Sequence, residues 1–192
     1  LSSEVTYDKN KETFFSKGLT ESVVENKYNI KSKDVLFSKK ISILSSNQKT
    51  IVKDNKLNQY ELEEFNYNIS KKILKGKNIK ISSNVEDGKK DYYFFSDGFF
   101  NFKDSSFVSR ETKIKLHKDV FDNIEQDPRL YGTSSSGNDD KTVVNKGVFT
   151  SCKQTENCPS WSIASEKITH DKIKRDMIYE NALLKIYDVP VL

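Results

Sequence analysis

The chain has 192 residues and a net charge of +4, with 35% apolar and 31% charged residues. Its 12 Phe and 9 Tyr argue against a disordered chain, and no apolar run approaches the roughly 18 residues of a membrane-spanning helix. Three arginines (Arg110, Arg129, Arg175) among 32 basic residues leave few donors for bidentate base reading. The lysines, interleaved with carboxylates, read as a solvated surface that blunts strand edges, with a nucleic-acid patch or an anionic-lipid contact as sharper alternatives.

Taken in chain order, the dominant hydrophobic period is two, which predicts an all-β chain with little or no helix and thin sheets wet on one face. "SSEVTYD" sets Val5 and Tyr7 on one face. "NKYNIKSKDVLFSKKISIL" pairs Tyr28 with Ile30, Val35 with Phe37 and Ile41 with Ile43. "NQYELEEFNYNISKKIL" carries a weak helical stripe through Leu62 and Phe65, but its alternation through Phe65, Tyr67 and Ile69 predicts strand. "KNIKISSN" pairs Ile79 with Ile81, "GFFNFKD" pairs Phe100 with Phe102, and "ETKIKLHKDVF" pairs Ile114 with Leu116. From Asn123 to Val144, Pro128, Gly132, Gly137, three serines and two aspartates predict a loop or long excursion. "SWSIASEKITHD" then pairs Trp161 with Ile163 and adds Ile168. Aromatic doublets such as Phe14-Phe15 and Phe94-Phe95 put one ring on each face of a strand. The inward set is therefore a self-packed core or the lining of a greasy groove for a ligand.

Internal similarity follows the same period. "EVTYDKNKETFF" resembles "KITHDKIKRDMI", with Thr6/Thr169, Asp8/Asp171, Lys9/Lys172 and Lys11/Lys174 in register. "VLFS" and "FNYN" echo "VTYD" at a spacing of 30. Strand, Asp-initiated turn, strand is the expected unit, too small to fold alone and stacked on its neighbours.

Reactive chemistry has little support. Cys152-x5-Cys158 with His117 and His170 offers four ligand types, but at spacings unlike a zinc knuckle. Neither cysteine sits in a recognisable nucleophile setting, and no phosphate-cradling glycine motif occurs. A local disulfide is feasible if the loop doubles back, as is pairing of either cysteine with a residue outside this sequence. Leu1 and the abrupt "YDVPVL" read as the ends of a fragment.

Several pieces together carry a family resemblance: "DPRLYG", "KGVFTSC", "PSWSI", "ITHD" and the closing A-x-L-x-x-Y-x-VPV. Over Leu116 to Leu192 the chain resembles the periplasmic OstA-like part of the LptD (OstA/Imp) family, the lipopolysaccharide-assembly proteins of the Gram-negative outer membrane. The first 115 residues resemble it through the looser hairpin repeat shared with LptA and LptC. The resemblance implies one periplasmic domain over 1–192, an open β-jellyroll leading into a missing β-barrel. It implies a non-enzymatic carrier without cofactor or metal, which takes lipopolysaccharide from LptA at its N-terminal edge strand and passes acyl chains along an apolar groove. The groove candidates are the alternating residues named above: Val5, Tyr7, Tyr28, Ile30, Val35, Phe37, Ile41, Ile43, Tyr67, Ile79, Ile81, Phe100, Phe102, Ile114, Leu116, Ile163 and Ile168. LptE and the barrel would be further partners, and Cys152 falls on a cysteine that the family bonds to its barrel; no nucleic-acid contact is implied. A structural β-repeat of a secreted or surface protein, an LptA- or LptC-like bridge and a zinc-dependent nucleic-acid binder are the competing readings.

Overall fold

The computed structural model describes residues 2–24, 26–85, 88–153 and 159–191. Among these the fold is all-β: fifteen strands in one antiparallel sheet and no helix, an open jellyroll-like arrangement. The first strands are β1 (Ser2–Asp8), β2 (Thr13–Val24), β3 (Tyr28–Ser38), β4 (Ile43–Ser46), β5 (Thr50–Asp54), β6 (Gln59–Leu62), β7 (Glu64–Asn68) and β8 (Ile73–Asn84). They are followed by β9 (Lys90–Asn101), β10 (Ser106–Lys115), β11 (Arg129–Gly137), β12 (Lys141–Thr150), β13 (Trp161–Asp171), β14 (Asp176–Ile186) and β15 (Val189–Pro190).

The long strands cross a crease that divides the sheet into two wings. The short strands show where it lies. β3 pairs with β4 over Leu36–Ser38 and with β5 over Tyr28–Lys31. β8 likewise pairs with β7 in one wing and β6 in the other. At the crease several long strands carry a residue with positive φ: Asn78 at 47°, Glu111 at 49°, Lys146 at 46° and Asn181 at 53°. At Lys77-Asn78 and Arg110-Glu111, two successive residues face outward, as in a bulge that bends a strand while the ladder continues on both sides. The inward phase is thereby reset, so both Gly76 and Ile79 face in.

Small side chains let the wings meet. Phe65, Gly76, Gly98, Ser109, Ser135 and Val144 lie directly opposite one another from strand to strand. A Cβ on Gly76 would overlap Leu62 Cδ2, and one on Gly132 would overlap Val144 Cγ1. Ser109 and Ser135 share a hydrogen bond of 2.6 Å, and Thr112 Oγ1 donates to Ser135 Oγ at 2.8 Å, which satisfies buried hydroxyls.

This corrects the expected loop over Asn123–Val144. Only its first part is irregular; Arg129–Gly137 is β11, and strand resumes at Lys141. Gly132 and the serines mark the crossing of the crease, where close approach of the wings demands small residues. The stretch around Leu62 and Phe65 is strand, in β6 and β7, as the alternation predicts.

The 30-residue spacing is also a structural period. Residues 8–13, 38–43 and 68–73 are turns of the same construction, with Glu12, Ser42 and Lys72 at φ 51°, 53° and 57°. Asp8 Oδ1 accepts from the backbone N–H of Lys11, and Asn68 Oδ1 from that of Lys71, so a side chain organises the first and third of these turns. The repeated "ITHD" hairpin turns in the same way, with Asp171 Oδ1 accepting from Lys174 N–H and Arg175 at φ 57°.

Candidate functional site

The inner face is built from two apolar rows, one per wing, fixed by register. In the first wing Tyr7 lies opposite Phe14, Phe14 opposite Phe37, Phe37 opposite Leu44 and Leu44 opposite Tyr67. Leu74, Phe100 and Phe107 continue the row. In the second wing Ile30, Val52, Tyr60, Ile81, Tyr93 and Ile114 stand opposite one another in turn. Leu130, Phe149, Ile163 and Leu184 complete that row.

The two rows differ in cover along their length. Between β3 and β12 the wings close on each other. Tyr28 stacks on Phe102 across the gap at 4.3 Å, Tyr60 meets Phe100 edge-on at 6.3 Å, and Phe95 lies 5.7 Å from Phe107. Tyr28, Ile30, Tyr67, Ile79, Ile81, Phe100, Ile114, Leu116 and Ile168 all belong to this core, with Phe102 packed against it, and Val35 is buried beside it. Here the chain's own side chains cover much of the inward set, as in the self-packed alternative.

At the first edge the same row runs out into the open. Tyr67 is 1% exposed and Tyr7 50%. Tyr7 stacks on Phe14 at 4.5 Å and Phe14 on Phe37 at 6.2 Å, a ladder of rings that grows more exposed toward its outer end. Val5 is exposed beside it. At the other edge, Ile163 is half-buried, and Leu184, Ile186 and Val189 are exposed.

Two groove candidates lie elsewhere. Ile41 is exposed in a turn, and Ile43, opposite Ser38 and Asn68, is one residue out of phase with the inward Leu44. The turn resets the alternation that the sequence carries through it. Phe14, Leu44, Phe107, Leu130 and Phe149 are inward residues that pattern reading missed. Phe14 was legible: a turn over residues 8–13 obliges Phe14, and not Phe15, to face Tyr7.

Between the wings, beside the apolar core, lies a polar cleft of about 310 Å³. Asp91 Oδ1 accepts from the His117 backbone N–H at 2.9 Å and lies 2.9 Å from its Nδ1. His170, which holds the place in its hairpin repeat that Tyr7 holds in the first, is buried, and its Nε2 has no hydrogen-bond partner among the described residues. Burial holds its pKa below the ordinary histidine value, although Asp91 pulls the other way. Lys172 sits 5.7 Å over the Tyr93 ring and donates to the Asn138 carbonyl at 3.1 Å; burial lowers its pKa and raises that of Tyr93. Among the described residues no three His, Cys, Asp or Glu side chains gather as metal ligands. Cys152 is buried, its Sγ 3.2 Å from Ser160 Oγ, while Cys158 and hence the local pairing lie outside the described residues.

Compared with known proteins, the chain matches no protein-family model and no curated protein.

Proposed function

We propose that this chain is a lipid-carrying module of the LptD type, acting in lipopolysaccharide assembly on the periplasmic side of a Gram-negative outer membrane. One observation carries the reading: an inward aromatic row, sealed over Tyr67 and Phe100 and half-buried at Phe37, that becomes exposed at Phe14 and Tyr7 beside an edge strand, β1, which among the described residues pairs with β2 alone. Each acyl CH₂ removed from water is worth about 0.8 kcal/mol, so a few exposed rings hold a chain segment weakly enough to release it. An unpaired edge can accept a strand from an LptA-like neighbour and continue the row between proteins. On this reading the other open end, at Leu184 and Ile186, faces the barrel and LptE, and the domain does no covalent chemistry.

The filled middle favours a second reading, a structural β-module that packs only its own core. A photoreactive residue at Tyr7, Phe14 or Leu130 separates the two when the protein is mixed with lipopolysaccharide. Adducts at Tyr7 and Phe14 but not at the buried Leu130 support the carrier. Absence of adducts at all three leaves the structural module.

A further inference from the structure

The inner rows leave unused the rim formed by the hairpin turns of the first wing. The turns at residues 8–13, 38–43 and 68–73 are joined edge to edge: Lys39 N–H donates to the Glu12 carbonyl at 3.0 Å, and Ile69 N–H to that of Ser42 at 2.9 Å. The next hairpin follows, with Phe102 N–H donating to the Lys72 carbonyl at 2.9 Å. Each turn is two strands from the next, about 10 Å at ordinary strand spacing. These three turns carry six lysines (Lys9, Lys11, Lys39, Lys40, Lys71, Lys72) against two carboxylates, Asp8 and Glu12. Among the described residues Lys39, Lys40 and Lys71 are exposed and make no ion pair. The long connection at the opposite rim, residues 116–128, is acidic instead, with Asp119, Asp122, Glu125 and Asp127 against Lys118.

A second feature coincides with this charge. Isoleucine stands in two of the turns themselves: Ile41, directly after Lys40, is 57% exposed, and Ile69, two residues before Lys71, is also exposed. The hairpin turn between β13 and β14 repeats the motif, with Ile173 73% exposed beside Lys174 and Arg175. Apolar tips among cations suit the headgroup boundary of an anionic bilayer, where the cations meet phosphates and the tips leave water. We propose that this rim docks the domain on an anionic lipid surface, a contact independent of the carrier reading. Its row of cations at intervals of about 10 Å matches an extended surface better than a single phosphate.

The test is co-sedimentation of the protein with vesicles of phosphatidylglycerol and phosphatidylcholine, against phosphatidylcholine alone, over a salt series. Binding should require phosphatidylglycerol and weaken with salt. The triple variant Lys39→Glu, Lys40→Glu, Lys71→Glu should bind on the order of 100-fold more weakly. A charge-matched control, Lys27→Glu, Lys53→Glu, Lys90→Glu, should stay within a few-fold of wild type. The double variant Ile41→Ser, Ile69→Ser should bind several-fold more weakly with the same salt slope. Circular dichroism melting must show each variant folded. Equal losses in the two triple variants, binding to phosphatidylcholine alone, or an unaltered isoleucine variant overturns the proposal. So does displacement by inorganic phosphate beyond that by chloride of equal ionic strength, which assigns a discrete phosphate site. Tighter binding to a homopolymeric RNA than to the vesicles, lost in the same triple variant, assigns the rim to nucleic acid and also overturns it. Adducts at Tyr7 are unaffected by any of these outcomes.

Discussion

The sealed stretch of the sheet around β7–β10 and the open edge at β1–β2 are written in the same alternating code, yet they differ in what covers them. Tyr67 and Tyr7 occupy one row, four pairings apart, and one is buried while the other is half in water. Alternation fixes which face a side chain takes; an opposing wing decides whether that face becomes core. The same residue types thus serve as structure in one place and as accessible surface in another.

The sharpest way to break the comparison is at the crease. Gly132→Val should destabilise the fold by about 3 kcal/mol or more, because its side chain would run into Val144, and a large drop in the urea midpoint would register this. A stability loss under 1 kcal/mol would mean that the wings are free to part. Next comes the pair of rings. Phe100→Ala should cost about 3–5 kcal/mol, as for a large buried side chain, whereas Phe14→Ala should cost about 1 kcal/mol or less while reducing lipopolysaccharide adducts at Tyr7. Equal costs in chemical denaturation would erase the distinction between sealed and open rows.

Acid should act on the polar cleft more gently. Burial depresses the pKa of His170, whose charged neighbours are Asp91, Lys172, His117 and Asp171. Its unfolded form takes up a proton first as pH falls, so the stability it contributes is present above about pH 6.5 and is lost below it, by at most about 1.4 kcal/mol per pH unit. His170→Met should flatten the dependence of melting temperature on pH between 7 and 5. An unchanged slope would assign the acid sensitivity to other groups.

The sequence announces strands well because period two survives wherever a strand is regular. The pairs Tyr28 with Ile30, Ile79 with Ile81 and Ile114 with Leu116 all lie inward and buried. It misleads where the backbone changes phase. The turn after Phe37 resets the phase, so Ile43, six residues on, lies on the outer face and Leu44 opposite Phe37. At the crease, "GTSSSG" reads as a loop by composition but is a strand, because glycine and serine there answer a steric demand from a wing remote in sequence. The open and sealed parts of the inward rows were illegible for the same reason: cover is a property of the opposite wing, and alternation within one strand carries no record of it.

One sheet without a closed seam has a further consequence. Its hydrogen-bonded path runs through thirteen strands in sequence, from β1 to β15, with β5 and β6 beside it. At roughly 4.8 Å per step the path measures on the order of 60 Å. Each 30-residue repeat sets about 10 Å of that length, so adding or removing hairpins would alter the protein's reach in fixed increments while leaving its cross-section unchanged.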